Sequence, residues 1–164
     1  MVAIRKSFEE GHRRKFLVVV DETSEADRAI VYAAKRAERT NGIATLLYVI
    51  APGDFQHWLG VEDIMRAEAR ENAENCLEKA ADRVRSVART EPELVVREGN
   101  RSDEILALIE EDADIAILVL AAGSGSEGPG PLVSAIAGKG AASFPIPVTI
   151  VPATLDDESI AALA

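Results

Sequence analysis

The eight residues Gly123 to Gly130, GSGSEGPG, gather four of the chain's eleven glycines between an aliphatic run and a proline. A backbone so poor in Cβ atoms can adopt positive φ angles and come close to a ligand. Pro131 suits the first position of a helix, and the free N–H groups behind it make an anion site. A carboxylate stands at the end of another apolar run, FLVVV. This is Asp21, first of Asp21-Glu-Thr-Ser24, which can cap the following helix, contact a ligand, or do both. Gly123-x-Gly-x-x-Gly128 matches a dinucleotide fingerprint by count. It precedes the last strand rather than the first, however, and Pro129 and Pro131 interrupt entry into the helix. A P-loop is excluded, because Gly138-Lys139 is followed by Gly140 and preceded five residues earlier by Val133. His12 and His57 have no i, i+4 partner and no cysteine nearby, so their spacing does not make a metal site. No nucleophile, base and orienting acid assemble from Ser24, Ser124, Ser134 and these histidines, which leaves an enzyme behind a binding protein.

These residues need elements to position them. Ile115 to Ala122, IAILVLAA, is a near-continuous aliphatic run, as expected of a strand covered on both faces in a parallel sheet. Pro147 to Val151 is the strand that closes this βαβ unit. Earlier, Phe16 to Val20 forms a buried strand. Ala26, Ala29, Ile30, Ala33, Ala34 and Ala37 recur at helical spacing, and Asn41-Gly42 stops that helix. Ile43 to Ile50 is the second strand, broken by Ala51-Pro-Gly-Asp54. A long helix follows from Val61 to Ala88, with His57-Trp58 ahead of it as an amphipathic lid over the sheet edge. Leu94 to Arg97 is a short strand, Gly99 turns the chain, and a helix capped near Ser102 carries Ile105, Leu108 and Ile109 inward. Asp156 to Leu163 can form one or two helical turns.

The chain has 164 residues, the length of one domain, with 48% apolar residues and only 4% aromatic ones, so Ala, Val, Leu and Ile must build the core. A net charge of -10 argues against a general nucleic-acid or anionic-membrane surface. Arg5, Lys6, Arg13, Arg14 and Lys15 crowd the N-terminus, which reads as a solvated, poorly ordered arm. Cys76 is the single cysteine and falls on the apolar face of its helix as a small buried hydrophobe. The first residues lack the apolar core of a signal peptide, and no apolar run is long enough to span a bilayer, so a soluble cytoplasmic protein is expected.

The blocks FLVVVDETSEADRAIVYAAKRA, TLLYVIAP, VVREGNRSDEILALIEEDADIAILVL and PIPVTIVP occur in that order. From Phe16 to Pro152 they resemble the universal stress protein family. The resemblance implies an α/β fold: an open twisted five-stranded parallel sheet in the order 3-2-1-4-5, with helices on both faces, Rossmann-like. Residues 16–152 would be that domain, residues 1–15 a charged N-terminal arm and residues 153–164 a C-terminal tail or short helix. It also implies ATP or another adenine nucleotide at the carboxyl edge, with Mg2+ as the accompanying ion, in a stress-response protein that regulates or signals through its bound state. A nucleotide-free interaction module and a slow ATP hydrolase or phosphotransferase are the alternatives.

On this resemblance, Asp21, preceded by Val20, contacts the nucleoside, and the Val49 backbone reads adenine. ATP-binding members carry G-x2-G-x9-G followed by Ser or Thr. Aligned without gaps from Pro147-Val148, those positions are Ala121, Ser124 and Ser134, with Ala135 in place of the hydroxyl residue. A shifted frame, Gly125, Gly128 and Gly138, keeps the spacing but ends in Lys139 and places Gly138 inside the helix that Pro131 begins. The candidate nucleotide site is therefore Val20, Asp21, Val49, Ala121, Gly123, Ser124, Gly125, Gly128 and Ser134. A homodimer joined through the last strand, Pro147 to Val151, and an unidentified protein partner complete the expectation. The unpaired edge of that strand carries no lysine or glutamate to repel a second chain.

Overall fold

The computed structural model describes residues 3–52, 62–126, 128–138 and 140–164. The expected His57-Trp58 lid lies outside the described residues. Five parallel strands, β1 (Lys15–Val19), β2 (Ile43–Ile50), β3 (Glu93–Glu98), β4 (Ile115–Ala122) and β5 (Val148–Pro152), form one sheet in the order β3-β2-β1-β4-β5. The expected strand order is the observed one. Five helices connect or follow them: α1 (Ala26–Thr40), α2 (Glu62–Val87), α3 (Arg101–Glu111), α4 (Pro131–Ala137) and α5 (Asp157–Leu163).

Side chains on a strand alternate between faces, and β1 divides the core accordingly. Phe16 and Val18 join a cluster with α1, α2 and Ile160 of α5. Leu17 and Val19 pack with α3 and α4, through Ile105, Ile109, Val133 and Ile136. The alanines of α1 let that helix lie close on the sheet, where Ala33 and Ala34 are fully buried. Asn41, in a left-handed conformation at φ 55°, ends α1. No described helix is long and apolar enough to cross a membrane.

The N-terminal residues depart from the sequence-based picture, whereas the C-terminal helix agrees with it. Residues 3–14 are not a solvated arm. Arg5 Nη1 donates to the carbonyls of Ile109 at 2.7 Å and Asp112 at 3.1 Å, the Lys6 N–H donates to the Ala113 carbonyl, and Ser7 is buried. The Arg14 guanidinium lies between the Phe8 and Phe16 rings, 5.6 and 5.2 Å from their centroids. His12 Nδ1 is 2.7 Å from an Asp114 carboxylate oxygen. Arg5 and His12 thus meet carbonyls and a carboxylate at the amino-terminal edge of the sheet, while Arg14 is held by its ring contacts.

At the other terminus, α5 is docked on α1. The Asp156 side chain accepts from Ser159 N–H at 2.8 Å as N-cap, and Ile160 is fully buried. Arg28 donates to the Leu155 carbonyl at 2.9 Å, and Arg39 to that of Ala161 at 2.6 Å. Arg83 of α2 bridges Asp27 of α1 at 2.8 Å and Asp157 of α5 at 2.9 Å, while Arg28 pairs with both carboxylates. Partial burial pushes the Asp27 carboxyl up, but bonds and charge from Arg83 and Arg28 outweigh it and hold the group below its ordinary range.

A carboxylate whose folded-state pKa is depressed stabilises the fold above its unfolded value and loses that contribution as pH falls through the folded value. The contribution of Asp27 is therefore complete above about pH 4 and fades below it. Asp27→Asn should cost about 1 kcal/mol at pH 7, after discounting for solvent screening. Melting curves of the two proteins should converge toward pH 3, and a gap of equal size at both pH values would remove charge pairing as its source.

Candidate functional site

β1 and β4 are neighbours whose following helices leave to opposite faces of the sheet, α1 to one and α4 to the other. Strand ends that diverge in this way open a crevice at their carboxyl edge. A cavity of about 520 Å³ lies there, lined by Val19, Asp21, Thr23, Glu25, Arg101 and the glycine loop. A second, of about 550 Å³, is lined by Val49, Asn100, Ala135 and again Arg101, Pro131 and Leu132. The two share Arg101, Pro131 and Leu132 and lie side by side, forming a cleft over the ends of β2, β1 and β4.

Capping α1 and contacting a ligand were both open to Asp21, and the first does not hold: α1 begins at Ala26, with Glu25 at its cap position and no side-chain cap bond. The Asp21 Oδ1 instead accepts from the N–H of Thr23 at 2.8 Å and from its hydroxyl, closing a turn two residues long. Oδ2 faces the cleft, 4.0 Å from Arg101 Nη1. The carbonyl of Asp21 accepts from Cys76 Sγ at 3.6 Å on the other face. Burial pushes the Cys76 thiol up, and Glu22 and Asp21 add to it, so the thiol stays protonated at neutral pH.

The glycine loop uses part of its own polarity. Gly123 N–H donates to the Pro129 carbonyl at 3.1 Å and Gly128 N–H to the Gly125 carbonyl at 3.1 Å. Gly128 and Gly130 have positive φ, 87° and 107°, as their residue type allows. A Cβ on Gly123 would stand 3.3 Å from the Gly128 carbonyl oxygen and 3.4 Å from Glu25 Oε1, so the loop and the start of α1 approach closely. Gly138 is not inside α4 as the shifted frame had it. It ends that helix, where a Cβ would meet the Ser134 carbonyl at 2.6 Å. That contact explains the glycine without a ligand.

Of the residues singled out in the sequence, Asp21, Ala121, Gly123, Gly125 and Gly128 line the first cavity and Val49 the second. Val20, Ser124 and Ser134 line neither. Val20 points into the α1–α2 side of the core, and its neighbour Val19 takes the cleft-facing position, a consequence of strand alternation. Ser134 is exposed on α4 with its N–H bonded to the Gly130 carbonyl. Glu25 and Arg101 were missed. Glu25 sits in the turn after β1 and Arg101 at the start of α3 after β3, at the same edge of the sheet as Asp21, and neither carries a local sequence signal. Among the described residues no group of three or more His, Cys, Asp or Glu side chains could hold a metal ion.

The sequence model of the universal stress protein family matches residues 12–152. The chain belongs to the universal stress protein family. UspA from Lactobacillus plantarum superposes with a TM-score of 0.68 at 18% identity, over 84% of this chain and 97% of that one. The universal stress protein from Archaeoglobus fulgidus in complex with dAMP gives 0.57 at 18%, over 92% and 99%. A universal stress protein family protein from Arabidopsis thaliana with AMP bound gives 0.58 at 20%, over 85% and 91%. No curated protein gives a significant match by sequence.

Within this universal stress protein the loop's two conformational classes of glycine can be told apart. Gly128→Val forces a β-branched residue to positive φ and should cost about 1 to 3 kcal/mol. Gly125 has no positive φ and no atom within 4 Å of the position its Cβ would take, so Gly125→Val should leave stability unchanged. Denaturant titrations of both variants check this, and equal losses would contradict the loop conformation described above.

Proposed function

We propose that this universal stress protein binds an adenine nucleotide in the cleft over β2, β1 and β4 and regulates or signals through its bound state. The observation that carries the reading is Asp21 Oδ2 at the end of β1, held only by a long 4.0 Å contact with Arg101 and lining, with the glycine loop, a cavity of about 520 Å³. Two hydroxyls of a ribose are the natural donors for such a carboxylate. The relatives with dAMP and AMP support the ligand class.

Val49 supplies a base-reading edge. The Val20 N–H donates to the Leu47 carbonyl and the Gly99 N–H to that of Ile50, so alternate residues of β2 face β1 and β3. Val49 therefore faces the β1 side, where β1 has already ended at Val19. Its N–H and C=O are arranged to meet the acceptor and donor of an adenine edge. ATP is the first ligand to try, and any Mg2+ would ride on the nucleotide's phosphates rather than on a protein cage, given the sparse carboxylates.

Nucleotide analysis of the purified protein and titration calorimetry with ATP, ADP and AMP test the reading. Asp21→Ala should weaken binding by roughly tenfold or more, while lost turn bonds cost only about 1 kcal/mol of stability. Gly125→Val should weaken binding where the phosphates approach the loop. Absence of binding by every adenine nucleotide would sink the reading and leave a nucleotide-free interaction module.

We also propose that two copies pair through β5. The Leu118 N–H donates to the Pro147 carbonyl and the Ala153 N–H to that of Ala122, so the amides of Thr149 and Val151 turn toward β4. The amides of Val148 and Ile150 turn outward, and Ile150 is 39% exposed. α5 docks on α1 and leaves this edge without a strand partner among the described residues. Ile150→Pro removes an outward donor and no ladder bond, so light scattering should find a dimeric parent and a monomeric variant. A monomeric parent at micromolar concentration would exclude the interface.

A further inference from the structure

We infer that Arg101 and Glu25 together make the cleft select a nucleoside monophosphate against ATP. The inference rests on the adenine-nucleotide reading and adds the charge state of its ligand. Arg101, the first residue of α3, is the one basic side chain that lines either cavity among the described residues, and it lines both. Its side chain is 41% exposed, and its one ion pair among the described residues, to Asp21, is long at 4.0 Å. Most of its five donors therefore remain open to a phosphate, which a guanidinium can hold through two parallel bonds.

Room for further phosphates is poorly provided. Glu25 Oε1 lies 3.4 Å from where a Cβ of Gly123 would stand, and Asp21 faces the same cavity. Two carboxylates thus oppose one guanidinium. The loop that would have to cradle a triphosphate donates two of its amides to its own carbonyls, at Gly123 and Gly128, and has none at Pro129 and Pro131. Ser134 N–H is committed to the Gly130 carbonyl, and Ala135 brings no hydroxyl. A chain with a net charge of -10 adds a long-range cost for each further negative charge. One phosphate finds one cation; the second and third find the carboxylates of Glu25 and Asp21 and a loop two of whose amides are already bonded.

Calorimetry on the full chain with adenosine, AMP, ATP alone and ATP with Mg2+ tests this. The parent should bind AMP at least roughly tenfold more tightly than either form of ATP. Arg101→Gln should lose roughly ten- to hundredfold in AMP affinity and keep its affinity for adenosine, the signature of a charge-assisted contact. Glu25→Gln should gain affinity for ATP and not for adenosine. A melting curve verifies that each variant folds, and if Arg101→Gln does not, the Glu25→Gln comparison decides. ATP binding as tightly as AMP, or parallel losses of adenosine and AMP in Arg101→Gln, or no ATP gain in Glu25→Gln, would overturn the inference and leave the nucleotide reading standing. If none of the four ligands binds the parent, the nucleotide reading falls and the inference falls with it.

Discussion

The structure depends on burying β1 on both faces at once. Phe16, Leu17 and Val18 have no exposed surface, and nothing polar interrupts the strand between Lys15 and Asp21. Period-two alternation then requires helices on both sides of the sheet, and right-handed crossovers place successive units outward from the middle in two directions. The chain reverses its direction of growth at β1 and β4. The crevice at their carboxyl ends is thus a result of covering one apolar strand twice, and the polar residues that follow each strand gather there because every parallel strand ends at that edge.

This explains what could be read from the sequence and what could not. The aliphatic runs of β1, β2 and β4 and the helical spacing of alanines in α1 carry their own periodicity, so the element order and the sheet order implied by the family resemblance agree with the structure. Asp21, Ala121 and the loop glycines were also legible, since they lie at strand ends. Val20 was not separable from Val19, because a run of five apolar residues does not declare which of its faces meets the cleft. Arg101 and Glu25 carry no local signal of their own. They matter through a tertiary juxtaposition, the start of α3 and the start of α1 brought over the same loop, that no short motif encodes.

The N-terminal residues were misread for a related reason. Charged residues without periodicity suggest a solvated arm, yet the amino-terminal edge of a parallel sheet with covering helices leaves carbonyls at the ends of α1 and α3 without helical partners. Arg5 and Arg13 supply donors to those carbonyls, at Ile109 and Asp112 for the first and at Asn41 and Gly42 for the second. The basic cluster is a set of caps from a distant part of the chain.

The two faces of the sheet are held differently, and that difference bears on how a bound state could be communicated. On the α1 side, Asp27, Arg28, Arg83 and Asp157 tie three helices together, and Ile160 is sealed beneath them. On the other side, α4 has only seven residues, with Val133 and Ile136 buried and a glycine at its end. A helix that short has little stability of its own and depends on what packs against it. α4 is also the covalent link between the glycine loop and β5, through the single turn Ala141–Ser143. A ligand that contacts Pro131 and Leu132 would stabilise this segment by mass action in proportion to its own binding. The energy would reach the free edge of β5 through a few residues, whereas the latched face would be indifferent to it.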